Sequence, residues 1–586
     1  MAGFSHIRVD RNVPVPMRDG VILRADVYRP ETGAAVPSLL MRTPYSKAPS
    51  VSVVEGDPLR LAEAGYAVVA QDTRGRFSSG GTFSPLRDEG TDGYDTVEWV
   101  AAQPWCSGAV GMFGSSYLGA TQWLAAAESP PHLTAINPVL TAADYYEGWL
   151  HQGGAFALGF ALSWALMLAG NTITRDASPD GALPADARAE AEAYNDAFDG
   201  FLSGCAHLPL STYPFLRGER RAPYYYDWLE HPSDDAYWRP LSIERRHDAV
   251  MVPALHLGGW HDIFLGGALR NYVGMKRNGG SPRARAGQHL VVGPWTHCPP
   301  AYANMVGQVD YGIRAAGASV DTDGLILRWH DYWTRGVENG VDREAPVRLF
   351  IMGENAWRDE RDWPLERAVE TPFFFHGRGK ANTLQGDGRL SPERPGSEPP
   401  DTYLYDPRNP APTRGGGLCC VDQVHGGAYD QRTVEERQDV LVYTTEPLAE
   451  PMEVTGPVRV VLYACSSAVD TDFTAKLVDV APCGFARNLT DGILRARYRE
   501  DRSTEKLLVP GTVAELTIDL IATANFFKKG HAVRVEISSS NFPRFDRNPN
   551  TGHAFGRDAD TVTAAQTVFH DARHPSHIVL PVVRRA

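Results

Sequence analysis

Two α/β stretches separated by a helical insertion, with an all-β region after them, is the fold class this sequence predicts. Short apolar runs alternate with helical segments from residue 21 to about 143, and again from 251 to about 337. Between them lie apolar-periodic stretches at 155–168 and 187–202, which read as helices. Beyond about residue 348 the pattern changes to short alternating runs separated by turns, the signature of a sandwich. The expected division is therefore an α/β domain in two parts, 1–144 and 241–350, a helical cap at 145–240, and a β domain at 351–586.

In chain order, the first part carries strands at 21–28, 38–41, 66–71 and 109–113, with helices near 58–64 and 92–102. The segment DTRGRFSSGG between them reads as a structural turn and not as a phosphate loop. In the second part, strands at 254–257 and 289–292 each run into a loop with a polar residue. The β region contains DVLVYTTEPL, GPVRVVLYA, FTAKLVDV, ILRARYRE, VAELTIDLI, HAVRVEISSS and HIVLPVV, and the acidic, proline-rich stretch 392–406 reads as a surface loop.

Composition narrows the function classes. With 586 residues the chain has room for a large core, and a net charge of −14 argues against nucleic acid or an anionic membrane as partner. The N-terminus MAGFSHIRVDRNVPVP has no apolar core of signal type. Seven cysteines without a C-x-x-C pair point to reduced thiols, a cytoplasmic setting and no zinc site, so the sequon at Asn488 is read as incidental. The segment 153–170 has the length of a membrane span, but it is rich in small residues and lacks basic flanks; a buried helix is expected.

The chemistry is most visible in GMFGSSYLG. An apolar strand runs into Ser116, and a helix follows, so the serine stands on a sharp turn beside free helix N–H groups. The spacing departs from G-x-S-x-G, because Leu118 occupies the second glycine position and Gly119 comes one residue late. Ser115 fits less well, and the glycines do not make a dinucleotide motif.

Downstream, PALHLGGWHD delivers Asp262 and HLVVGPWTH delivers His297, each from a loop after a strand and in the order Ser, Asp, His of α/β-hydrolases. A serine hydroxyl needs a base to attack, so His297 would take its proton while Asp262 holds the imidazole. The backbone N–H of Tyr117 is one oxyanion donor. The second usually comes from an HGGG segment that is missing here; RTPYSK places Tyr45 on the corresponding loop, and a phenol can donate. Trp149 and Trp164, beside or within the expected buried helix, are candidate walls of an acyl pocket.

These motifs resemble a known family. PYSK, QDTRGRFSSGG, WCSGAVGMFGSSYLGATQW, HPSDDAYW, GGWHD, GPWTH, AVDTDFTAKLVDV and SSSNFPRFDRNPNTG are similar to the cocaine esterase family of bacterial serine esterases, relatives of X-Pro dipeptidyl peptidases and α-amino acid ester hydrolases. The resemblance runs nearly end to end and includes the late glycine. It implies an α/β-hydrolase domain with a helical cap and a C-terminal jelly roll. It also implies Ser116, Asp262 and His297 as the triad, and Tyr45 and Tyr117 as the oxyanion hole. Phe264 matches an aromatic position of the family's acyl pocket, together with Trp149 and Trp164. Cys419 and Cys420 stand where the family carries larger apolar residues, which implies a differently shaped pocket; a vicinal disulfide there is the less favoured alternative.

The expected activity is hydrolysis of small acyl or aryl esters through an acyl-enzyme, without metal or organic cofactor. The expected partner is a small-molecule ester, with homo-oligomerisation left open. Peptide or aminoacyl cleavage is the competing reading. Only about twenty residues precede the first expected strand, too few for an amine-binding domain of dipeptidyl-peptidase type, and Asp144, Glu147 and Asp310 are the carboxylates considered for an ammonium group. A non-catalytic carbohydrate-binding module is the alternative of another class.

Overall fold

The computed structural model describes residues 6–48, 56–175, 185–218, 221–297, 302–421 and 423–584. Its first sheet shows why the α/β strands read as continuous apolar runs. Ala67–Asp72 and Ala254–His261 are buried at every position, because helices cover both faces of a parallel sheet. Ten strands line up in the order Ile7–Pro16, Ile22–Pro30, Ala67–Asp72, Val36–Thr43, Cys106–Ser115, Leu133–Val139, Ala254–His261, Gln288–Thr296, Val347–Ile351 and Ala356–Glu360. Pairing is parallel from Ala67–Asp72 through Val347–Ile351 and antiparallel at both edges.

Three expectations change. Ile7–Pro16 precedes the strand expected to be first; it is an edge strand with mostly solvent-facing residues, so it lacks an apolar signature. Leu133–Val139, interrupted by Asn137 and Pro138, also goes unnoticed in the sequence. The sheet continues past the expected boundary at 350/351 to Glu360, and the sandwich begins with Ala368–His376. The last strand, Ala356–Glu360, is an antiparallel edge with one buried residue, so it lacks the apolar run that marks the sheet's inner strands.

The insertion forms helices Leu158–Arg175, Ala185–Asp199, Phe201–Ala206 and Tyr224–Glu230. The first contains most of the span-like segment, and among the described residues no helix is long and apolar enough to cross a membrane. The C-terminal region is a jelly-roll β-sandwich whose strands pair almost wholly antiparallel, apart from one parallel bridge between Arg389–Ser391 and Leu441–Thr444. Asp401–Tyr405, inside the stretch expected to be a loop, is an edge strand on Ala564–Phe569.

The sandwich shares a core with the sheet. Leu290, Val292, Val347 and Phe350 pack with Val454, Leu520 and Phe527 in one buried apolar cluster. It also grips the cap: Gly153 accepts the Arg495 N–H at 2.9 Å, and Gly159 donates to the Pro543 carbonyl at 2.8 Å. A Cβ at Gly153 would lie 2.0 Å from the Ile493 oxygen, so only glycine permits this approach. Asn488 is buried in the strand Ala486–Arg495, bonded to the backbone of Gly427 and Tyr429.

Candidate active site

The strand Cys106–Ser115 ends where the helix Tyr117–Ala127 begins, and Ser116 makes the turn with φ 59°. Positive φ is costly for a residue with a side chain, and the surroundings fix it. The Ser116 N–H donates to the Val139 carbonyl at 2.9 Å, and the Ser116 carbonyl accepts from Gly119 and Ala120. Packing also accounts for the late glycine. A Cβ at Gly119 would stand 2.8 Å from Thr141, so the helix could not lie so close to that segment. Leu118 packs against the apolar cluster that includes Leu39 and Phe113.

Asp262 follows Ala254–His261, and His297 follows Gln288–Thr296, so neighbouring parallel strands present both at their carboxyl ends. His297 Nε2 lies 2.9 Å from Ser116 Oγ, and His297 Nδ1 lies 2.7 Å from Asp262 Oδ1. The Asp262 side chain is fully shielded and that of His297 is 7% exposed, so the bonded chain sits largely out of bulk water.

Tyr45, on the loop after Val36–Thr43, brings its hydroxyl to the same place. It accepts a hydrogen bond from the Trp164 indole N–H at 2.9 Å and is in hydrogen-bond contact with Ser116. Burial holds the phenol neutral, outweighing the opposing effects of Trp164 and Arg76, so it keeps a proton to donate. Tyr117 is the first residue of its helix, where the backbone N–H has no intrahelical acceptor. Its buried side chain donates to Glu89 at 2.9 Å and accepts from the Leu86 N–H at 2.8 Å. Burial pushes the Glu89 carboxyl up, against the pull of Arg42.

Aromatic rings pack around His297 and Tyr45. Trp149 stacks on Phe264 with centroids 4.2 Å apart, and Phe264 meets the His297 ring edge-on at 4.9 Å. Trp164 packs against Trp149 on one side and stacks on Trp228 on the other. The sandwich adds to this cluster. Leu418, Cys419 and Val421 belong to the same apolar cluster as Trp149, Trp164 and Phe264, and Cys420 packs against it. A Cβ at Gly417 would lie 3.1 Å from the Asp262 carbonyl, so this loop sits directly on the Asp262 turn. Cys419 and Cys420 are joined as a disulfide, a correction to the reduced thiols expected.

The three carboxylates considered for an ammonium group are engaged elsewhere. Asp144 accepts from the Tyr146 and Glu147 N–H groups, Glu147 from Gly153, and exposed Asp310 from Asn304 and Gly312. Sequence reasoning missed Glu89, Trp228 and Arg76. Arg76 belongs to the DTRGR turn, and only the unusual density of polar residues there hints at a role. Asp72, at the start of that turn, forms a buried pair at 2.9 Å with Lys47 of the Tyr45 loop.

Comparison with known proteins agrees with this architecture. Residues 19–299 match the X-Pro dipeptidyl-peptidase (S15 family), and residues 339–579 match the X-Pro dipeptidyl-peptidase C-terminal non-catalytic domain. An aminopeptidase from a marine sediment archaeon, Thaumarchaeota archaeon, superposes with a TM-score of 0.79 at 26% identity, covering 99% of this chain and 96% of the other. An α-amino acid ester hydrolase does so with a TM-score of 0.78 at 26% identity, covering 99% and 98%. The cocaine esterase of Rhodococcus sp. (strain MB1 Bresler) is 43% identical over 589 residues, spanning 98% of this chain and 99% of that protein. On that end-to-end identity, the chain belongs to the cocaine esterase family of bacterial serine esterases, serine hydrolases that couple an S15-type α/β-hydrolase domain to a C-terminal β domain.

Proposed function

We propose that this enzyme cleaves small acyl or aryl esters through an acyl-enzyme on Ser116. The observation that carries the reading is the unbroken hydrogen-bonded chain from Ser116 through His297 to Asp262, at 2.9 and 2.7 Å. His297 Nε2 takes the Ser116 proton as Oγ attacks the ester carbonyl, and Asp262 stabilises the imidazolium that forms. The carbonyl oxygen becomes an oxyanion between the Tyr45 hydroxyl and the Tyr117 N–H. On collapse the C–O bond to the alcohol breaks, and His297 returns the proton to the departing alkoxide. Water, activated by the same histidine, then releases the acid and regenerates the serine. No step calls for a metal or an organic cofactor.

The aromatic enclosure of Trp149, Trp164 and Phe264, closed by the Cys419–Cys420 loop, suits an apolar acyl group. Esters are favoured over aminoacyl and peptide substrates because Asp144, Glu147 and Asp310 are occupied elsewhere. The test is a panel of acetyl, butyryl and benzoyl esters beside X-Pro and aminoacyl anilides, run with Ser116→Ala and Ser115→Ala. Higher kcat/KM for the esters is expected, with turnover and organophosphonate labelling lost only in Ser116→Ala. Preference for an anilide overturns the ester assignment, and labelling that survives Ser116→Ala moves the chemistry elsewhere.

A further inference from the structure

Arg76 stands where the two segments that meet at the Tyr45 hydroxyl are tied together. Its guanidinium belongs to a residue only 3% exposed and donates to the Pro44 carbonyl at 2.8 Å. It also donates to the Leu168 carbonyl at 3.3 Å, to Thr172 Oγ1 at 2.9 Å and to Asn171 Oδ1 at 3.4 Å. Pro44 leads directly into Tyr45. Leu168, Asn171 and Thr172 lie on the helix Leu158–Arg175, which also carries Trp164, the donor to the Tyr45 oxygen. The same guanidinium lies over the Phe83 ring at 4.9 Å, and Phe83 packs on Tyr117 with centroids 6.3 Å apart. Since Trp164 occupies an acceptor position of the phenol, the phenol's own proton is directed elsewhere, toward Ser116 and the space beside it. That orientation depends on the Pro44–Tyr45 loop and the helix keeping their separation. A planar guanidinium that spans both holds a separation in a way a flexible ammonium cannot.

We propose that Arg76 is a positioning residue of the oxyanion hole, clamping the Pro44 carbonyl to the helix Leu158–Arg175 so that the Tyr45 hydroxyl stays between Trp164 and Ser116. The proposal rests on the reading of Tyr45 as an oxyanion donor. The clamp acts on charge that develops in the transition state, so its loss falls on kcat and spares KM.

The experiment is a double-mutant cycle on the full-length enzyme, with an aryl ester as substrate and thermal unfolding followed in parallel. Arg76→Gln is expected to lower kcat about tenfold, against the roughly 10²–10³ of a lost oxyanion donor, with KM changed by less than about twofold. Arg76→Lys should recover only part of the loss. In a Tyr45→Phe background, Arg76→Gln should cost no further kcat, because the hydroxyl it positions is gone. Thr172→Val removes one anchor of the clamp without disturbing the buried charge; about a threefold loss is expected, again only while Tyr45 is present, and this arm decides the matter if the Arg76 variants do not fold. Equal fold-losses in both backgrounds overturn the proposal, because a residue that merely supports packing acts independently of the phenol. A Tyr45→Phe enzyme with unchanged kcat overturns the oxyanion reading itself, a separate and distinguishable result.

Discussion

In the ten-stranded sheet and its covering helix, burial drives His256 down to about 4 and His261 and His330 down to about 3, so these rings are neutral in the folded protein. In the sandwich, burial pulls His570 the same way, but the hydrogen bond its ring donates to Asp401 and the charges of Asp401 and Glu398 outweigh it and hold the ring above its ordinary value. Other charges divide similarly. The sheet's buried pairs, Arg42 with Glu89 and Lys47 with Asp72, involve the carboxyl ends of two adjacent strands, beside the candidate site. The sandwich buries Arg495 against Asp472 and Asp546, both at 2.8 Å, and Asp546 also accepts the Phe156 N–H of the cap. Charge in the first region is therefore gathered around the chemistry. In the second, the Arg495 cluster fastens the sandwich to the cap through Asp546 and Phe156.

The sharpest way to break this contrast is Asp262→Asn. The amide can still occupy the space but cannot stabilise an imidazolium, and kcat should fall by about 10⁴ with little change in unfolding temperature. A fall of tenfold or less would mean that His297 does not work through Asp262. Arg495→Met should give the reverse profile. It strands two buried carboxylates, which costs about 3–5 kcal/mol in denaturant unfolding. At temperatures where the variant stays folded, turnover per folded molecule should change far less. If Arg495→Met proved neutral in stability, the sandwich charges would not be what fastens the cap. Tyr45→Phe comes next, with kcat lowered about 10²–10³ and KM nearly unchanged. Unchanged kcat in a steady-state assay would demote Tyr45 to packing.

What could be read in the sequence follows the same division. The loops carrying Ser116, Asp262 and His297 were legible because each follows an apolar run that a parallel sheet buries on both faces. Ile7–Pro16 and Ala356–Glu360 were not assigned to that sheet, because edge strands carry polar residues and match no buried template. Gly119 was visible as a misplaced glycine, but its reason, contact with Thr141, exists only in three dimensions. Trp149, Trp164 and Phe264 could be proposed as a wall, with the resemblance to a known family supplying Phe264. Trp228 and Arg76 could not, since aromatic residues and arginines in an insertion or a turn look alike until packing assigns them. The disulfide joining Cys419 and Cys420 ran against an expectation based on composition, which describes a compartment and not a loop.

The smallest effect tests the comparison through pH. His570 is raised above its ordinary value of 6.5, so its contribution to stability is complete below that value and is lost as pH rises through the folded one. His256 is lowered to about 4, so its contribution is complete above 6.5 and is lost as pH falls toward 4. The two regions should therefore give slopes of opposite sign on opposite sides of neutrality. His570→Gln keeps a donor for Asp401, which also receives the Tyr443 hydroxyl at 2.8 Å, but it cannot gain a proton. In this variant the unfolding temperature should decline less on the alkaline side, where buried Glu435, raised to about 8, still contributes, while the acid side stays as in the parent. His256 faces Gln288 at 2.8 Å, and His256→Gln should make the acid-side decline shallower, leaving the part carried by His261 and His330. Each change should amount to about 2–4 °C at most, readable by calorimetry across a pH series. Should His570→Gln flatten the acid limb instead, the ring is neutral in the folded sandwich, and the contrast between a sheet of neutral histidines and a sandwich of paired ones collapses at its clearest point.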